Sequence, residues 1–346
     1  QSPFLTIVPD DRLRRTLQLM GQPRTAALTD EIARDACVRT GGTVMVAGSI
    51  ARLGSQYVLG LRAQHCASGE WLEQDQLQAA RQEDVLNVLS QLATRFRSRV
   101  GESLATVRQH SIPLPESSTP SLEALQAFSA AYRDFGSATT IPLLKRAVEI
   151  DPNFAIAHSE LGFAYATRGQ VVLGEQSIRR AYELREHATD RDRFFIMTIY
   201  DRQLTGNLEK EGETLRLWAQ SYPRDPVATG LLSGFYAAGT GQYAFMVDKA
   251  REAATIGNDF GQATPVYYNV VWGLMGLGRL PEAEQALERA LTRGEQPDAA
   301  PDAYHLAFLK GALGAAAPWA IGVVVLGLYG ISIHQAAQRL GRRPWG

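Results

Sequence analysis

The sequence is short of the residues on which chemistry most often depends. Its 346 residues include only two cysteines, Cys37 and Cys66, and six histidines. None of these cluster. His158 and His305 have no acidic or cysteine partner at ligand spacing, so neither a metal nor a cofactor is expected. An excess of one charge sign is also missing. Lys and Arg number 35 against 36 Asp and Glu, a formal charge of −1, which argues against a general binder of nucleic acid or anionic membrane. Catalytic motifs are lacking as well: no G-x-x-x-x-G-K-[ST], H-E-x-x-H or G-x-S-x-G, and no kinase H-R-D or D-F-G. The "GLMGLG" at 273–278 has its glycines in the wrong order for a dinucleotide loop. The "TDRDR" at 189–193 reads as a solvated charge run between helices. There is no initiator methionine or signal peptide; the chain starts at Gln1 and enters the apolar "FLTIV" at once. It therefore reads as a piece of a longer polypeptide whose chemistry lies elsewhere.

What is present is enough apolar residue, 45% of the chain, to bury a sizeable core in two or three domains. Residues 4–8 read as a short buried strand closed by Pro9 and Asp10. "DDRLRRTLQLMG" carries Leu13, Leu17 and Met20 at helical spacing and stops at Gly21. "LTDEIARDACVRTGG" repeats the pattern, with Thr29 as N-cap and Gly41 and Gly42 as the stop. Two β-branched runs, "TVMVAGSIARL" and "SQYVLGLRAQHC", form a hairpin around Gly54 and Ser55. "WLEQDQLQA" follows with alternating polarity. "EDVLNVLSQLATRFRSRVG" closes the unit as an amphipathic helix, with Val85, Leu89, Leu92 and Phe96 inward. The result is a small α/β domain over 1–108. A Pro- and Ser-rich linker occupies 109–121, and beyond it the composition shifts to helix formers.

Cys37 falls late on a helix and Cys66 at the end of the second hairpin strand. If that helix packs on that sheet, the thiols meet in a bridge that implies an oxidising compartment; otherwise they are two buried free thiols.

The helical half is periodic. Gly169, Gly206, Gly241 and Gly278 are separated by 37, 35 and 37 residues, each followed by a polar residue. Nine places after each stand Ile178, Leu215, Ala250 and Leu287, and twelve places after, Ala181, Trp218, Ala253 and Ala290. Seven places before are Gly162, Ile199, Gly234 and Val271. Two helices joined at a glycine turn describe this unit. Glycine within a helix costs about 1 kcal/mol relative to alanine, so Gly162 is expected to recover that loss by letting two helices approach closely. A single unit cannot bury its own face, so neighbours must stack.

The unit at 155–186 resembles the tetratricopeptide repeat family through Leu161, Gly162, Tyr165, Ile178 and Ala181, with Pro152 at the family's closing proline. "GRLPEAEQALERAL" at 278–291 is similar through Ala283, Leu287 and Ala290. The unit centred on Gly206 departs at Trp218, where a small residue is expected, and the unit at Gly241 carries one extra residue. A shortened first unit covers 122–152. Six places before each turn glycine stands an aromatic: Phe163, Tyr200, Phe235 and Trp272. In the family that position faces the concave groove, so the rings either line a peptide-binding groove or fill gaps between stacked helices.

The first hundred residues and the order of the two domains resemble the extracytoplasmic portion of bacterial membrane-bound serine/threonine kinases that carry tetratricopeptide repeats. The α/β unit is similar to the TolB amino-terminal domain, which also occurs in membrane-anchored winged-helix regulators. "LRRTLQLMGQP", "LTDEIARDACVRTGG", "AGSIARLGSQYVLGLRAQHCASGE" and "LEALQAF" carry this likeness. It implies a membrane span and a kinase or DNA-binding output module upstream of Gln1, with this piece on the extracytoplasmic, periplasmic side of the inner membrane.

The expected fold is thus a small α/β domain followed by an all-α tetratricopeptide solenoid over 122–310. Residues 311–346 are an apolar tail. Within it 315–333 is either a membrane span followed by arginines, a buried capping helix, or the product of a reading-frame error. The expected function is a non-catalytic sensory or scaffolding region with a protein or peptide partner and no nucleic acid. An envelope assembly scaffold is the alternative.

Overall fold

The structure, a computed structural model, describes residues 2–292 apart from 4, 6, 9, 24–27, 134–136 and 257–265. The apolar tail, His305 and the end of the last repeat lie outside the described residues. A first compact unit runs to Asn269, and Val270 begins a second.

Helix α1 spans Asp10–Leu19 and α2 spans Asp30–Arg39, where the Thr29 hydroxyl accepts from the Ile32 N–H at 3.3 Å. Strands β1 (Val44–Leu53), β2 (Gln56–His65) and β3 (Trp71–Ala79) form an antiparallel sheet in the order β1-β2-β3. The period-two patterning of β2 and β3 presents Leu59 and Ala79 to one face. Helix α3 (Val85–Arg99) covers that face with Val85, Val88 and Leu92. A disulfide joins Cys37 at the end of α2 to Cys66 just beyond β2, with the Cα atoms 6.0 Å apart. It closes a loop of about 30 residues, for which chain entropy gives about 3–4 kcal/mol. Replacing both cysteines with alanine is expected to lower the unfolding free energy of this part by that amount in urea titration.

Two expectations fail here. Leu5, Ile7 and Val8 form no strand, and Ile7 is 87% exposed. Instead of joining a ladder, the Leu5 N–H donates to Ser2 Oγ, whose hydroxyl in turn donates to Glu102. Nor is 109–121 a free linker. Helix α4 (Leu104–Gln109) precedes it and α5 (Leu114–Ser117) lies within it. The cause is Arg97, a buried guanidinium that needs acceptors: it donates to Glu102 at 2.6 and 2.8 Å, to the His110 carbonyl at 3.0 Å and to Ser111 Oγ at 2.7 Å. Proline limits the backbone of such a stretch without preventing it from docking. The Tyr222 hydroxyl then meets His110 Nδ1 at 3.3 Å, tying this segment to the helical region.

That region begins with α6 (Leu122–Arg133) and α7 (Thr140–Ile150), then α8 (Ala155–Thr167) and α9 (Val171–Glu183). Next come α10 (Asp190–Tyr200), extended by a π-helical turn at 201–205, and α11 (Leu208–Ser221). Helix α12 (Pro226–Leu231) passes through a second π-helical turn at 232–236 into α13 (Ala237–Thr240), and α14 (Tyr243–Ile256) folds back on them. Helices α15 (Val266–Gly276) and α16 (Leu280–Thr292) complete the described chain. Gly169, Gly206, Gly241 and Gly278 each stand between the two helices of a pair with φ of 73, 69, 71 and 71°. Only glycine adopts that left-handed backbone without a steric cost.

Packing explains the remaining small residues. A Cβ on Gly162 would lie 2.4 Å from Ile178 Cγ1 and 3.0 Å from both the Gly174 carbonyl and the Ile178 nitrogen. Gly162 and Gly174 thus bring α8 and α9 together almost backbone to backbone, which raises dispersion contact along the crossing. Leu161, Ala164 and Tyr165 pack on the other side against Ala131 and Leu144 of the preceding pair. Ala181 and Ala283 are wholly buried, and Ala290 falls within α16. Trp218, standing where a small residue was expected, is also wholly buried, between Phe194 and Phe195 of α10. No helix among the described residues is long and apolar enough to cross a membrane.

Candidate functional site

The aromatic at each sequence-equivalent position is half-buried: Phe163 on α8, Tyr200 at the end of α10, Phe235 in the second π-helical turn and Trp272 on α15. The structure brings two of them together, with the rings of Phe163 and Phe235 6.0 Å apart. Tyr200 lies in a separate stack. Its ring is 3.8 Å from that of Tyr182 on α9, nearly parallel, and the Arg185 guanidinium lies 4.0 Å over Tyr182. Trp272 belongs to the second compact unit.

Charge is built into the same face. The Arg202 guanidinium lies 4.4 Å from the Phe235 ring and donates to both carboxylate oxygens of Glu211, at 3.1 and 3.2 Å. Glu211 on α11 is wholly buried. Burial pushes its carboxyl above the usual range, and Arg202 holds part of that rise back. Asp201, also buried, is raised by desolvation against the pull of Lys210 3.7 Å away, and its Oδ2 has no hydrogen-bond partner among the described residues. The first π-helical turn, at 201–205, places Asp201 and Arg202 here. Such one-turn expansions occur often at functional positions. A mostly buried guanidinium held by a carboxylate fork over a phenyl ring, next to a second phenyl, suits recognition of polar and aromatic groups rather than bond-making.

The charge run at 189–193 is more than a solvated face. Thr189 Oγ1 caps α10 by accepting from the Asp192 N–H at 3.1 Å. Arg191 Nε donates to Asp225 Oδ2 at 2.7 Å and its guanidinium lies 5.6 Å from the Trp218 ring. Asp225 accepts also from Trp218 Nε1 at 3.1 Å and, as cap of α12, from the Val227 N–H at 3.0 Å. One arginine and one aspartate therefore fasten two successive helix pairs. The sequence signal for it was Asp225 directly before Pro226, an N-cap followed by proline at the first helical position.

His158 Nε2 is 3.0 Å from the Pro152 carbonyl oxygen, and burial lowers the pKa of its ring. Among the described residues no group of three His, Cys, Asp or Glu side chains could hold a metal ion. Compared with known proteins, the chain matches no family model and no curated sequence.

Proposed function

We propose that the chain is a non-catalytic sensory or scaffolding region that binds a protein or peptide partner through a tetratricopeptide-like array of helix pairs. The observation that carries the reading is the half-buried ring pair Phe163–Phe235, with Arg202 laid over it. It stands on helix pairs that turn at glycines of common backbone conformation. Half-buried rings beside an ordered cation are the usual anchors of a peptide interface. The disulfide favours an extracytoplasmic location, since such bonds persist in oxidising compartments. In this reading the chain is the sensing part of a membrane-bound signalling kinase. A partner's occupancy of the rings is passed to an output domain encoded upstream of Gln1.

Alanine replacement of Tyr200 and Phe235 tests the binding role. Expected is loss of the co-purifying partner from cells while thermal melting shifts by no more than a few degrees. Retained partner, or partner lost only in step with lost folding, would assign the rings to packing alone.

A further inference from the structure

The ring site holds donors that the fold leaves unused. Arg202 reaches Glu211 through Nη1 alone, at 3.1 and 3.2 Å, and its guanidinium lies 4.4 Å from the Phe235 ring. Its Nε and Nη2 donate to nothing among the described residues, and neither is sealed from solvent. The Arg202 side chain is 12% exposed, so what reaches the surface is an N–H edge. Gly239 of α13 marks the opening. It is exposed, and a Cβ there would lie 3.8 Å from Nη1 and 4.0 Å from Nη2. Its backbone is not left-handed, so no conformational demand explains the glycine. A side chain at 239 would start beside the guanidinium and cover it.

Local charge decides what those donors take. Arg202 is matched by Glu211, and Lys210 stands 3.7 Å from Asp201. Two cations thus meet two buried carboxylates. A partner's carboxylate would bring a third anion to a site where Asp201 Oδ2 already lacks a donor, and a partner's ammonium would face Arg202. The complementary guest is an uncharged acceptor, a carbonyl oxygen. Helices and sheets commit their carbonyls to their own ladders. Polyproline II leaves every carbonyl open and carries apolar rings that suit an aromatic surface.

We infer that the site takes an uncharged, proline-rich segment of the partner in the polyproline II conformation. A main-chain carbonyl accepts from the Arg202 Nε–Nη2 edge, and a proline ring lies beside Phe235. The inference rests on the ring pair being the docking site and adds the class of peptide received there.

The full chain is titrated calorimetrically with acetyl-hexaproline-amide, with acetyl-(Gly-Ser)3-amide and acetyl-Pro-Pro-Glu-Glu-Pro-Pro-amide as comparisons. Expected is hexaproline binding at least about tenfold tighter than either, the worth of one hydrogen bond to a charged donor. Arg202→Lys keeps a cation for Glu211 but loses the N–H edge, and is expected to weaken hexaproline about tenfold. Gly239→Gln is expected to weaken it as much while melting within a few degrees of the parent, since glycine is the poorer helix former. Equal binding of either comparison peptide, or unchanged hexaproline affinity in either variant, would overturn the proposal. So would absence of hexaproline binding by a chain that still captures a partner in cells through positions 163 and 235, a result that leaves the docking reading standing. Loss of that capture as well would remove both.

Discussion

Gly162→Leu is expected to destabilise the helical region by at least about 3 kcal/mol, the upper part of the range for overpacking a close-fitted contact. Even the first added carbon would lie 2.4 Å from Ile178 Cγ1 and 3.0 Å from backbone atoms of α9. The Ile178 side chain can rotate, but the Ile178 nitrogen and the Gly174 carbonyl cannot, so the two helices must separate. Helix propensity acts in the opposite direction, since leucine is favoured over glycine by up to about 1 kcal/mol; a net loss therefore isolates the packing term. Gly169→Ala provides the contrast. A Cβ there meets nothing within 4 Å, so only the left-handed backbone is strained, at about 1–2 kcal/mol. Urea unfolding of the two variants beside the parent checks both values, and equal losses would remove close helix approach as the reason for Gly162.

Arg202→Met is the second large effect. It leaves Glu211, wholly buried, without its guanidinium. Losing one partner of a buried pair costs about 3–5 kcal/mol at neutral pH. The pH dependence has a definite sign. Burial already holds the folded-state pKa of Glu211 above its usual value, and removing Arg202 raises it further. A carboxyl with a raised pKa binds its proton more tightly in the folded state, so stability falls as pH rises through the window between the unfolded and folded values. The deficit of Arg202→Met should therefore shrink on acidification. Adding Glu211→Gln should recover most of it at pH 7. Denaturant titrations at several pH values read both outcomes, and a pH-independent deficit would mean that Arg202 acts through the Phe235 ring rather than through Glu211.

The helix pairs were legible because glycine has only one steric reason to recur before a polar residue every 35–37 positions. The spacing of Gly169, Gly206, Gly241 and Gly278 alone located four turns whose φ values agree within a few degrees. The hairpin around Gly54 and the inward face of α3 were legible for the same kind of reason, a period matched to one element. Failures arose where a long-range partner decides the outcome. Residues 4–8 have strand composition, yet Leu5, Ile7 and Val8 pair with no strand. The stretch 109–121 looked like a linker because nothing local in it announces the buried Arg97 that gathers it in. The candidate site was half visible. The aromatic position could be counted from the turn glycines, but the meeting of Phe163 with Phe235 requires rings some seventy residues apart. The forks of Arg202 on Glu211 and of Arg191 on Asp225 depend on which way a helix faces. A charge run such as "TDRDR" does not disclose that.

The claim on which the rest depends is that the ring face of the helix pairs is where another protein sits. A photo-crosslinking amino acid placed in turn at 163, 235 and 217 in producing cells tests it most directly, since Leu217 lies exposed on α11. The account predicts one and the same protein adduct from positions 163 and 235 and none from 217. Adducts from 217 as readily as from the ring positions, or none from 163 and 235 in folded protein, would contradict it.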